Sequence, residues 1–114
     1  MTKDLKMTRG DTFKRQIKLE KQDHSEIDLS GITEIYFSVK ANVHDKECLF
    51  QKALNNGIAI TNNIIEITID SKDTAGLDFD TYCYDLQITL NGSIYTILKG
   101  NFIIDWEVTN EVSS

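Results

Sequence analysis

Four stretches of the chain place an apolar side chain at every second position. Ile65, Ile67 and Ile69 alternate with Glu66, Thr68 and Asp70, and Tyr84, Leu86, Ile88 and Leu90 alternate with Asp85, Gln87 and Thr89. Phe102, Ile104, Trp106 and Val108 alternate with Ile103, Asp105 and Glu107, and Ile35, Phe37 and Val39 with Tyr36, Ser38 and Lys40. A helix turns once in about 3.6 residues and cannot gather such a set on one face, whereas a strand does so automatically. Each stretch is therefore a strand with one face inward and one outward. Phe13, Ile17 and Leu19 follow the same template, with Arg15 interrupting the apolar phase. Shorter candidates lie at 48–54, 57–61 and 93–98, for a total of seven or eight strands.

The segments between them carry turn chemistry: Asp28 to Gly31, Asn55-Asn56-Gly57, Asn62-Asn63, Asn91-Gly92 and Gly100. The best helical candidate is one short turn near 71–76, which Ser71 or Asp73 is placed to cap. Asn-Gly suits a type I′ hairpin turn, because both central residues need positive φ. A two-residue loop at Asn91-Gly92 pairs Leu90 with Ser93, Ile88 with Tyr95 and Leu86 with Ile97. Tyr95 and Ile97 then face inward, and Ile94 and Leu98 outward; a bulge would reverse that assignment. The expected fold is all-β, an antiparallel immunoglobulin-like β-sandwich of seven to eight strands. Its 114 residues form one domain, 1–114, with a frayed polar tail at 110–114.

The net charge of −6 is unevenly spread. Residues 1–55 hold ten Lys/Arg against nine Asp/Glu, and residues 56–114 hold two against nine. An acidic half of this kind repels phosphate, so nucleic acid is not an expected partner. Lys14, Arg15 and Lys18 read as a solvated strand face. No window approaches the roughly eighteen apolar residues of a membrane-spanning helix. The first eleven residues lack an apolar stretch, so synthesis in the cytoplasm without a signal peptide is expected, with Cys48 and Cys83 reduced. Whether those two cysteines meet is open at this stage. Asn91-Gly92-Ser93 matches a glycosylation sequon and is better read as the turn.

Chemistry was sought first among the acids. Asp70, Asp73, Asp78, Asp80 and Asp85 are dense enough to suggest a cation, which would want roughly six to eight oxygens if it were calcium. Their spacing fits no EF-hand loop, and caps, turns and a solvated face account for them. His24 and His44 stand in polar, loop-like stretches without a metal-ligand partner, and Cys83 has no His that can be placed beside it. No phosphate-binding glycine loop is present. The expectation is a protein that is not an enzyme, with no catalytic, cofactor or metal residues. Trp106, Tyr82, Tyr84 and Tyr95 offer an aromatic platform for carbohydrate, but Trp106 keeps phase with Phe102 and Ile104 and reads as core.

The stretch "DTAGLDFDTYCYDLQITL" echoes the end of an antibody domain. A true immunoglobulin domain carries a Tyr two residues before its second Cys. Here that position, counted from Cys83, is Thr81.

Taken in order, "TRGDTFKRQIKL", "IDLSGITEIYFSVK", the Gly-Ile-x-Ile at 57–60, "DTAGLDFDTYCYDLQITL" and "TILKGNFIIDWEVT" resemble a known pattern. It is that of small β-sandwich domains of tailed-phage virion proteins, notably the N-terminal domain of the phage baseplate upper protein family. The resemblance implies a structural protein of a phage or prophage virion, tail or baseplate associated. It would act by contact with other virion proteins or with itself as a homo-oligomer, and locate to the virion after assembly. The alternative is a carbohydrate-binding module used in host recognition.

Overall fold

The computed structural model describes residues 3–19, 27–42, 44–78 and 80–105. Trp106, Val108, His24 and the 110–114 tail lie outside the described residues. Among the described residues there are eight strands: β1 (Leu5–Thr8), β2 (Phe13–Ile17), β3 (Ile32–Lys40), β4 (Phe50–Leu54), β5 (Gly57–Thr61), β6 (Ile64–Ile69), β7 (Thr81–Leu90) and β8 (Ser93–Asp105). A 3-10 turn at Leu29–Gly31 precedes β3, and a one-turn helix, α1 (Ser71–Thr74), joins β6 to β7.

The strands form one hydrogen-bonded ribbon in the order β1-β8-β7-β3-β4-β5-β6-β2. Between β4 and β5 the ribbon is held by only two parallel residue pairs, Ala53 with Gly57 and Leu54 with Ile58. There it folds over, so that β5, β6 and β2 lie against the inner face of the rest. The buried core shows the closure, because Ile58, Ile65, Ile67 and Ile69 join Ile35, Phe37, Val39, Leu86, Phe102 and Ile104 in one cluster. One leaf thus runs β8-β7-β3-β4 and the other β5-β6-β2. These are the neighbour relations of strands G-F-C-C′ and D-E-B of a variable-type immunoglobulin sandwich. The fold is all-β and immunoglobulin-like, and not wholly antiparallel, since β1 runs parallel to β8.

The alternation sets which side chains build this core. Ile65, Ile67 and Ile69 are buried, as are Ile35, Phe37 and Val39, and Tyr84, Leu86 and Ile88. Phe37 lies at the centre. Its ring centroid is 5.4 Å from that of Tyr84 and 6.2 Å from that of Phe102, the latter nearly edge-on at 72°. Phe50 meets Phe102 at 5.9 Å. Such tilted and edge-on pairs add about 0.5–1.5 kcal/mol each beyond the area they bury.

The turns follow their residues. Asn62 and Asn63 both have positive φ and join Thr61 to its partner Ile64, and Asn91 and Gly92 do the same between Leu90 and Ser93. Asn63 also braces its surroundings: its side chain accepts from the Leu29 amide at 3.0 Å and donates to the Ile27 carbonyl at 2.8 Å.

Three expectations are corrected. First, β8 is a single 13-residue strand through Gly100, which is not a turn. Gly100 is needed because a Cβ there would stand 2.3 Å from the Lys3 carbonyl oxygen, so it lets the chain before β1 cross close by. Second, a bulge between Leu86 and Gln87 pairs Leu86 with Leu98 in place of Ile97. Leu98 is therefore buried and not outward, while Ile94 does point outward. Third, β1 was not anticipated. Four residues give only Leu5 and Met7 to show a period of two, although both are buried.

Replacing Gly100 by Ala should push Lys3 away and loosen β1. Hydrogen exchange is expected to quicken at residues 5–8 while the β3–β7 amides keep their protection. Unchanged protection in β1 would contradict this account of the close approach.

Candidate functional site

The acids gathered in one sequence region separate in space. Asp73 lies in α1, where its carboxylate accepts from the Asp70 amide at 2.8 Å. The cap expected at Ser71 or Asp73 is corrected to Asp70, which is the N-cap, with Asp73 reaching back to it as the capping-box partner. Both also face Lys52 of β4. Lys52 Nζ lies 2.6 Å from Asp73 Oδ2 and 3.7 Å from Asp70 Oδ2. Lys52 is a buried cation, and its stem passes over Gly57, where a Cβ would sit 2.6 Å from the lysine Cδ. This pair ties the hinge between the leaves to the β6–β7 corner. Asp78 and Asp80 occupy the next corner. Asp80 accepts from the Thr81 amide at 2.7 Å, and the Asp78 carbonyl accepts from the Tyr82 hydroxyl at 3.0 Å. Asp85 stands on the outer face opposite Ser38 and Lys99. Among the described residues no three His, Cys, Asp or Glu side chains are grouped as a metal would require.

Two segments quoted from opposite ends of the chain meet at α1. The Thr74 hydroxyl, fully buried, accepts from the Gly10 amide at 3.1 Å. Arg9 Nη1 donates to the Leu77 carbonyl at 3.3 Å. The "TRGD" and "DTAG" turns are thus one packed unit.

The antibody echo takes a sharper form in three dimensions. The Tyr82 hydroxyl reaches back to the backbone four residues upstream, which is the tyrosine corner of immunoglobulin domains. Two residues beyond a corner tyrosine an antibody places its second cysteine, and here that residue is Tyr84. Counting from Cys83 misses this by one position, because Cys83 points to the outer face and its thiol bonds to the Lys40 carbonyl at 3.3 Å. Tyr84 is buried, packs against Phe37 and donates its hydroxyl to the Lys3 carbonyl. Arg15, the residue that interrupts the apolar phase of β2, lies close enough to act electrostatically on this phenol. Burial, and then the Asp4 carboxylate, push the Tyr84 hydroxyl up to about 12, and Arg15 opposes the rise. Cys48 and Cys83 are free thiols.

Among the described residues, Tyr82, Tyr84 and Tyr95 do not form one aromatic face. Tyr84 is core and Tyr82 is tied to the corner, while Tyr95 is half exposed at the end of the β7–β8 hairpin. Tyr36 is partly exposed on the outer face and bonds Glu34 at 2.6 Å. Trp106 lies outside the described residues. His44 is exposed. A half-open depression beside Ser38, Lys40, Cys83, Tyr84, Asp85 and Lys99 has a volume of about 80 Å³, and a wider, shallower hollow along Asp45–Leu49 about 460 Å³. Small-molecule sites are concave and enclose most of the ligand, whereas the wider hollow lies open along one loop segment. The prominent surface feature is instead apolar and at an edge: Ile94 is 71% exposed and Tyr95 50%.

No protein-family model matches the chain, and no curated protein matches it. Among solved structures, it is similar to extracellular domains of the voltage-gated sodium channel β4 subunit, described as parallel homodimers with a role in cell–cell adhesion. The identity is 14%, over 91% of this chain and 92% of that one, with a TM-score of 0.37. A likeness of this degree carries no inference about activity.

Two predictions follow from this geometry. Lys52→Met would leave Asp73 in a partly buried position without its cation. It should cost about 2–4 kcal/mol in urea unfolding, and adding Asp73→Asn should recover part of the loss. The second concerns alkaline pH. An unfolded tyrosine ionises near pH 10, and folded Tyr84 near 12. Between those values the folded state holds the extra proton, so stability present below pH 10 is lost as the pH rises towards 12. Unfolding monitored from pH 8 to 12 should show the decline, and Tyr84→Phe should flatten it.

Proposed function

We propose that the chain is a non-enzymatic assembly domain of a phage or prophage virion, tail or baseplate associated, working through protein–protein contact. The observation that carries this reading is the order of the sequence motifs together with what their polar residues do. Asp70, Asp73, Thr74, Asp78, Asp80 and Tyr82 are spent on corners, caps and an ion pair, which leaves none of them poised for chemistry. A fold whose conspicuous residues maintain its shape is suited to presenting surfaces. The exposed apolar pair Ile94 and Tyr95 supplies one such surface. The carbohydrate-binding alternative keeps, among the described residues, only separated tyrosines, and the assembly reading expects a blank glycan array.

The test is mass spectrometry of purified particles from the phage or prophage that encodes the chain. The reading expects the protein among the stoichiometric tail components, and its absence from intact particles would overturn the assignment.

A further inference from the structure

The open part of β8 points to a specific contact. β1 pairs with β8 at Phe102–Asp105, and the residues before it reach back to Asn101 and Lys99: the Asp4 carboxylate accepts from the Asn101 amide at 3.1 Å and the Lys3 amide donates to the Lys99 carbonyl at 2.8 Å. From Ser93 to Thr96, β8 has β7 on one side and no strand on the other among the described residues. The hairpin fixes which backbone groups face outward. In a two-residue loop the flanking residues Leu90 and Ser93 bond each other, and so, two residues on, do Ile88 and Tyr95. The N–H and C=O of Ile94 and Thr96 therefore point away from β7 into the open edge. The bulge at Ile97 ends this regular stretch.

Natural sheets commonly guard such an edge with lysine, proline or an inward charge. Here none of these is present. Asn91 to Leu98 reads NGSIYTIL, eight residues without a charge in a chain of net charge −6. Its side chains are β-formers, and Ile94 and Tyr95 are the most exposed large apolar residues described.

We propose that β8 pairs antiparallel with β8 of a second copy of this chain, about a two-fold axis at Tyr95. The occupant follows from the edge itself. A two-fold sets Ile94 against Thr96 of the other copy, and Thr96 against its Ile94, so the outward groups satisfy one another in four hydrogen bonds. The uncharged stretch lets two acidic molecules approach here without like charges in register, and offers nothing for an oppositely charged partner to read. Tyr95 meets Tyr95 as a non-hydrogen-bonded pair, with Cα atoms about 4.5 Å apart. The pairing names the contact that the assembly reading leaves open, and it rests on that reading for its biological setting alone.

Sedimentation velocity over a concentration series tests it on the full chain. A concentration-dependent dimer is expected, weakened by at least about tenfold in Thr96→Pro, because that substitution removes an outward N–H and leaves the β7–β8 ladder intact. Ile94→Lys, which adds charge at the edge without altering the backbone, should do the same if the proline variant fails to fold. In a Cys48→Ser, Cys83→Ser background, Tyr95→Cys should oxidise to a covalent dimer, whereas Asn101→Cys should not. A strict monomer, a dimer indifferent to Thr96→Pro and Ile94→Lys, or equal cross-linking at both cysteine positions would overturn the pairing. Dimerisation in solution with the chain missing from particles would sink the virion assignment and leave the edge contact standing.

Discussion

The contacts of Tyr84 hold the entry of β1 against the inner face of β7 and β3. Its ring fills the centre of the inner face against Phe37, opposite Gly100 on β8. Its hydroxyl holds the Lys3 carbonyl, which fixes the chain entering β1. Asp4 and Arg15 act electrostatically on this phenol in opposite senses, Asp4 opposing its ionisation and Arg15 favouring it. An antibody domain uses a cystine between strands B and F at this point, with a tryptophan packed on it. Here Phe37 packs on Tyr84, and both cysteines are free. The position that an antibody gives to a half-cystine holds a buried ring here, and a chain of this length can bury a continuous core without a covalent staple.

The second constraint lies at the hinge. The ribbon folds where β4 meets β5, and Lys52 leaves β4 at that place to reach α1 through Asp73. A buried ion pair contributes little net stability, since desolvation offsets the attraction. What it supplies here is position. It joins the β4–β5 crossover to the corner that also receives Gly10 and Arg9. Two segments far apart in sequence, Arg9–Gly10 and Lys52, thus converge on α1 and its flanks.

Much of this was legible because alternation is a local property. The inward sets on β3, β6 and β7 could be read directly, as could the Asn-Gly and Asn-Asn turns. What escaped depended on contacts distant in sequence. β1 was too short to display a period and is recognisable only by its pairing with β8. Gly100 resembled a turn because close approach and chain reversal both select glycine. Leu98 changed faces through a one-residue bulge, which no pattern of period two can signal. Arg15 interrupts an apolar phase, and no local pattern signals its pairing with buried Ile67 or its electrostatic effect on Tyr84. For the candidate site, the sequence identified the acids as structural residues but could not show that Lys52 gathers two of them. The open edge at Ile94 and Tyr95 was hidden for the same reason, since an edge is defined by the strand that is missing.

The Tyr84 hydroxyl is the most direct point at which to test this account. Equilibrium unfolding of Tyr84→Phe, with amide exchange followed residue by residue, isolates one hydroxyl and keeps the ring. A loss of about 1–2 kcal/mol is expected, from a carbonyl left without its donor, with faster exchange concentrated in Leu5–Thr8. Wild-type stability together with unaltered protection of β1 would contradict the claim that Tyr84, at the position of an antibody's second cysteine, anchors the chain entering β1.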